Sequence, residues 1–225
     1  MNKELKKRII TSLFLFILLG LVFFYSFILI ISLIIISLIV IAMISWIEFY
    51  ALISKIIKKN TIKDKLFRFL FKTISLLYLS LLVYFIFYIE SYNLNLKIYL
   101  LYSVLIAILS DIGGLVFGKN FKGRKLTKIS PNKTVSGSIG SFIFSMLLIP
   151  LFQGKLVEYN LLMLFFITML ISLTSQLGDL FISYLKRKAH VKNTSDILPG
   201  HGGFLDRVDG IIFAIPIGIL LFILF

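Results

Sequence analysis

From residue 9 to residue 47 no charged side chain interrupts the chain. One spanning helix needs roughly 20 apolar residues, so a run of about twice that length predicts two helices. The turn between them is expected near residues 24–27, although both helices are apolar on every side and periodicity does not set its place. Further apolar runs at roughly 70–89, 98–118, 138–153, 161–182 and 210–225 predict five more helices. The last is short when counted from Gly210 and is expected to begin nearer Asp206, which puts that carboxylate at the membrane surface. The pattern predicts an all-α integral membrane protein, a polytopic bundle of seven transmembrane helices in a single membrane domain over 1–225. The opening MNKELKKR leads into a run too long for a signal peptide and without a small-residue cleavage site, so it is read as preceding a retained span.

Composition agrees, with 59% apolar and 15% charged residues. There is no cysteine, which excludes a disulfide framework and a thiolate metal site. The net charge of +14 is unevenly placed. Lys3, Lys6, Lys7 and Arg8 precede the first run, and Lys55, Lys58, Lys59, Lys63, Lys65, Arg68 and Lys72 follow the second. Basic clusters also follow the runs ending near 118 and 182, whereas only Lys97 and Lys155 fall between the others. Short basic loops stay cytoplasmic, so seven spans with a cytoplasmic N-terminus account for the alternation. Topology and attraction to anionic headgroups, about 1 kcal/mol per residue near the surface, explain the charge without nucleic-acid binding.

The same topology gathers carboxylates. Asp111, Asp179, Asp206 and Asp209 all fall at the cytoplasmic ends of predicted helices. Charges inside spans are costly, and four on one side favour a site over separate interfacial anchors. On the 161–182 helix, Ser172, Ser175 or Gln176, Asp179, Ser183 and Lys186 form one polar stripe expected to face the bundle interior. On the 98–118 helix, Ser103, Ala107, Asp111, Gly114 and Gly118 form a stripe of small residues that permits close helix approach, and Gly137, Ser141 and Ser145 repeat it. Two loops carry the expected chemistry, at 119–137 and 183–209. In the second, Pro199, Gly200, Gly202 and Gly203 allow a tight turn that can present N–H groups to an anion, immediately before a helix N-terminus. Asp206 and Asp209 are three apart, on one face, where both can reach one cation. Oxygen ligands beside lysines suit Mg²⁺ better than zinc. The residues thus point to a magnesium-assisted site for a phosphate-bearing cytosolic ligand, opening into lipid.

Ser183, Lys186, Arg187, Lys192, Leu198, Pro199, His201, Gly202, Gly203, Asp206, Arg207 and Asp209 fall without a gap on a signature of the phosphatidate cytidylyltransferases, or CDP-diacylglycerol synthases, and the chain resembles that family. The segment from Ser130 to Thr134 and QLGDLFIS around Asp179 are similar to family segments, as is the stretch at Asp111. The likeness is close over 98–225, the catalytic half; over 1–97 it rests on hydropathy and on WIEF around Trp46 and Glu48. Asn193 stands where the family usually has aspartate and Ser136 where many members have glutamate. These neutral side chains are read as orienting neighbours by hydrogen bonding.

The resemblance implies transfer of the cytidylyl group from CTP to phosphatidate, giving CDP-diacylglycerol and pyrophosphate. It implies Mg²⁺, with room for a second cation, at Asp179 and Asp206 with Asp209 and Asp111 beside them. Asp179, Asp206, Lys186 and Arg207 would carry the reaction. Ser130, Lys133, Ser183, Arg187, Lys192, His201, Gly202 and Gly203 would bind the nucleotide and its phosphates, with His201 either bonding a phosphate oxygen or steadying the turn. His190 is read as a surface residue. The expected partners are CTP, phosphatidate and membrane lipid, with a homodimer allowed and no nucleic acid. The expected location is a bacterial inner (plasma) membrane, with the site facing the cytoplasm. The alternatives are a CTP-dependent lipid kinase, a cytidylyltransferase for another lipid phosphate, and more distantly a cation-coupled transporter, which predicts midplane charges and broken, repeated helices.

Overall fold

The computed structural model describes residues 27–58, 61–92, 94–127, 130, 133–156, 158–197 and 202–225. These fold into helices α1 (Phe27–Ile56), α2 (Ile62–Tyr92), α3 (Leu94–Phe121), α4 (Val135–Met146), α5 (Ile149–Phe152), α6 (Leu161–Lys188) and α7 (Leu205–Leu224). Among the described residues the only strand-like pairing is isolated bridging such as that of Lys125 with Thr134. The chain divides into two compact units, Met1–Ile41 and Ala42–Phe225. The described part of the first unit is helical; the second carries all that follows.

Among the described residues six helical segments are long and apolar enough to cross a membrane, at Ile36–Ile56, Ile62–Glu90, Leu96–Phe121, Val135–Phe152, Leu161–Lys188 and Leu205–Leu224. The first of the two helices expected within 9–47, and most of the turn at 24–27, lie outside the described residues, while Phe27 is already helical. The last helix begins at Leu205, as its length requires. The run expected as one helix at 138–153 is divided, because Pro150 has no N–H to give the Met146 carbonyl and its ring crowds that turn, so α4 stops at Met146. Both polar loops are shorter than expected. α3 continues to Phe121 and α6 to Lys188, with Lys186, Arg187 and Lys188 in a last turn whose exposed carbonyls favour cations.

Small residues determine how closely α3 and α4 pack. A methyl group on Gly113 would lie 2.4 Å from the Gly140 carbonyl oxygen, and one on Gly140 would lie 2.4 Å from Phe117 Cβ. Gly114 faces Ser141, and Gly118 faces Thr134 and Gly137, so the two small-residue stripes meet. Behind them a buried hydroxyl chain joins three helices. Ser141 Oγ donates to the Ser110 carbonyl at 2.7 Å, and Ser172 Oγ lies 3.2 Å from Ser110 Oγ and 3.0 Å from Ser145 Oγ. Such bonds tie helices together where lipid supplies no hydrophobic drive to do so. Tyr102, wholly buried and bonded to Thr168 at 2.6 Å, anchors the apolar core with Ile106, Leu164, Ile167 and Ile171. Outward-facing Leu81, Leu151, Phe166 and Leu224 remain exposed, as lipid-facing side chains should.

Candidate functional site

A cleft of about 330 Å³ opens where α3, α4, α6 and α7 converge. α3 contributes Asp111, the segment before α4 contributes Ser130 and Lys133, α6 contributes Gln176 and Asp179, and α7 contributes Asp206, Arg207 and Asp209. All four carboxylates read from the sequence therefore line one cavity. Gly114, Gly137 and Ser141 line it as well, so the tight α3–α4 crossing forms its floor.

Thr134 sets the entrance. Its backbone is extended and its hydroxyl accepts the Gly137 N–H at 3.0 Å, which caps α4 and fixes the adjacent Lys133 at the mouth. Ser136 Oγ lies 3.0 Å from Thr134 Oγ1, so this neutral side chain orients the cap by hydrogen bonding. Lys133 Nζ pairs with Asp179, and Ser183, buried one turn along α6, donates to the other Asp179 oxygen at 3.4 Å.

Asp206 is more fully engaged. Lys186 Nζ binds Oδ1 at 2.6 Å, while Oδ2 accepts the N–H of Thr194 at 2.9 Å and that of Gly203 at 3.2 Å. The Gly203 N–H is thus spent on Asp206 rather than held open for an anion. Gly202 has φ +85°, a left-handed conformation that favours glycine, and its Cα faces Asn193 and Asp206. Asp209 is buried, and one of its oxygens accepts the Gly210 N–H at 2.9 Å.

Arg187, Lys192, Asn193 and His190 are exposed, and none of them lines the cleft. His201, together with Leu198, Pro199 and Gly200, lies outside the described residues.

One further carboxylate supports the site beyond those the sequence predicts there. Glu48, 1% exposed on α1, accepts Thr194 Oγ1 at 2.7 Å, Ser195 Oγ at 2.5 Å, the Phe204 N–H at 2.9 Å and the Leu205 N–H at 2.7 Å. The last two donors belong to the start of α7, where N–H groups lack helical partners and the dipole favours an anion. Glu48 is also the charge that ends the long apolar run, the available sequence signal for it. Gln176, expected only as an alternative to Ser175 in the polar stripe, accepts Ser138 Oγ at 2.5 Å across the α4–α6 seam and lines the cleft.

Among the described residues no three His, Asp or Glu side chains form a ready metal cage. Asp111, Asp179, Asp206 and Asp209 nevertheless line one cleft. An all-oxygen set with excess negative charge fits a hard cation that takes one or two carboxylates and completes its shell with water and phosphate oxygens, as Mg²⁺ does.

A family model for the cytidylyltransferase family matches residues 3–225. The chain belongs to the cytidylyltransferase family. Among curated relatives of this cytidylyltransferase-family chain, a phosphatidate cytidylyltransferase of Staphylococcus aureus is 43% identical over 136 residues, covering 59% of this chain and 52% of the relative. One from Staphylococcus saprophyticus is 44% identical over 122 residues, 53% of this chain and 46% of the relative. One from Staphylococcus epidermidis is 40% identical over 136 residues, 59% and 52%. The chain spans about half the length of the curated relatives it matches.

Proposed function

We propose that this membrane protein transfers the cytidylyl group of CTP to phosphatidate, giving CDP-diacylglycerol and pyrophosphate. The observation that carries the reading is the single cleft in which Asp111, Asp179, Asp206 and Asp209 face Lys133 and Arg207. Family membership and the names of the relatives support the choice of substrates. An oxygen of the phosphatidate phosphate attacks the α-phosphorus of CTP; the new P–O bond forms as the bond to the bridging oxygen breaks, and pyrophosphate leaves with that electron pair. A phosphate monoester is already an anionic nucleophile near neutral pH, so positioning and charge neutralisation suffice without a strong base.

Asp179 and Asp206, with Asp209 and Asp111 beside them, would hold Mg²⁺, which when bound neutralises charge on the triphosphate. Lys133 and Lys186, paired with Asp179 and Asp206, are placed to turn toward phosphate oxygens when the nucleotide enters. Arg207 lines the same cleft and would clamp a phosphate. Glu48 keeps the start of α7, and so Asp206, in register. Because basic residues cluster in the connections at the cleft, whereas only Lys97 and Lys155 fall in the alternate ones, we place it at the cytoplasmic face of a bacterial plasma membrane, where CTP is available. Phosphatidate would arrive laterally.

The test supplies purified protein in lipid nanodiscs with Mg²⁺, CTP labelled in its cytidine and phosphatidate. Labelled lipid and one pyrophosphate per turnover are expected. Release of CDP with a phosphorylated lipid would instead identify a kinase, and no labelled lipid, including from an Asn193→Asp, Ser136→Glu double variant, would overturn the reading.

A further inference from the structure

A second polar groove, sharing no residue with the cleft, lies between α1 and α2 and encloses about 410 Å³. Lys65, Arg68 and Lys72 line it from α2, at spacings of three and four that place all three on one helix face. Trp46 and Tyr50, one turn apart on α1, form the opposite wall, with ring centroids 5.6 Å apart. Two contacts join its walls. The Trp46 indole N–H donates to the Lys72 carbonyl at 3.2 Å, and Lys72 Nζ sits 3.2 Å over the Tyr50 ring. Among the described residues that line the groove none is acidic.

Topology alone accounts for basic residues in the connection after α1. It does not account for Lys72, which stands ten residues beyond the start of α2, about 15 Å along the helix axis, facing an aromatic wall. Tryptophan and tyrosine belong at headgroup depth, where one side of the ring is apolar and the other wet. Phe69, between Arg68 and Lys72, and Leu76, one turn beyond Lys72, line the same groove, and these, at 66% and 45% exposure, offer a surface for acyl chains. Cations and exposed apolar side chains side by side in one groove match an amphiphile rather than a free anion.

We infer that this groove binds the phosphate headgroup of an anionic membrane lipid, with Lys65, Arg68 and Lys72 on the phosphate and Trp46 and Tyr50 against the glycerol and upper acyl chain. The site lies outside the reaction cleft, so the inference stands independently of the proposed chemistry.

Trp46 is the only tryptophan in the chain, so its fluorescence reports on this groove alone. The full chain would be placed in phosphatidylcholine nanodiscs containing either bromine-labelled phosphatidylglycerol or bromine-labelled phosphatidylcholine. Half-maximal quenching is expected at an anionic-lipid fraction about fivefold or more below that of the zwitterionic lipid. A Lys65→Gln, Arg68→Gln, Lys72→Gln variant should lose that preference. A Lys55→Gln, Lys58→Gln, Lys63→Gln variant of equal charge should keep it. Glycerol phosphate added in solution should leave the quenching unchanged. Equal quenching by both lipids in the unaltered protein overturns the inference, and this comparison requires no variant to fold. Equal losses in the two triple variants would reduce the effect to general surface charge, and displacement by glycerol phosphate would assign the groove to a soluble anion; either also overturns it.

Discussion

Glu48 and Asp206 are joined through one hydroxyl: Thr194 Oγ1 lies 2.7 Å from Glu48 Oε2 and 3.1 Å from Asp206 Oδ2. A threonine hydroxyl has one proton, so it serves both carboxylates only by sharing or alternating, and the Thr194 N–H supplies Asp206 with a second bond at 2.9 Å. The 194–205 segment is thereby pinned at both ends, to α1 by Glu48 and to α7 by Asp206.

Removing the Glu48 carboxylate should loosen that segment. Glu48→Ala leaves buried donors at Thr194, Phe204 and Leu205 without their acceptor, and should cost about 2–5 kcal/mol of stability and at least tenfold in kcat. Glu48→Gln keeps the shape but turns an amide toward N–H donors, and should fall between the two. Thermal unfolding in detergent and turnover with CTP check both; unchanged kcat in the alanine variant would remove Glu48 from any part in placing Asp206.

Gly203 is required by the same clasp. A methyl group there would sit 1.7 Å from Thr194 Oγ1 and 2.7 Å from Glu48 Oε2, so Gly203→Ala should reduce activity tenfold or more while the helical circular dichroism persists. Gly154, with nothing within 4 Å, should accept alanine without effect and serves as the comparison.

Lys133 separates substrate binding from ion pairing. If it exchanges Asp179 for a phosphate of CTP, Lys133→Ala should raise KM for CTP by about 10- to 100-fold, with a smaller loss in kcat. A large loss in kcat with KM unmoved would mean that it serves Asp179 alone.

Asn193→Asp tests the departure in the motif. Asn193 and Asp206 flank Gly202, within 3.1 Å and 3.3 Å of the position a methyl group would take there. A carboxylate at 193 adds negative charge beside Asp206, so the Mg²⁺ concentration for half-maximal activity should fall several-fold. Titrating activity against Mg²⁺ after chelator treatment measures this; an unchanged midpoint would separate Asn193 from the cation.

Much of the molecule was legible in the order of its residues. The spans follow from runs of apolar side chains, because lipid demands about 20 of them together and local backbone satisfaction forces helix. Asp111, Asp179, Asp206 and Asp209 could be brought to one end because charges avoid the membrane interior and topology alternates. The Gly114 and Gly118 stripe named a close helix contact because spacing along a helix determines its face.

Other relationships depend on three-dimensional placement. Glu48 meets Thr194 across 146 residues, and neither carries a periodic signal, since one buried carboxylate at the end of an apolar run looks the same whether it caps a distant helix or anchors its own. The break before Pro150 and the pairing of Lys133 with Asp179 and Lys186 with Asp206 likewise arise from which groups the packed helices bring within bonding reach. Apolar and charged patterns act along one helix at a time, whereas hydrogen bonds between helices depend on rotation and depth, which only the assembled bundle sets.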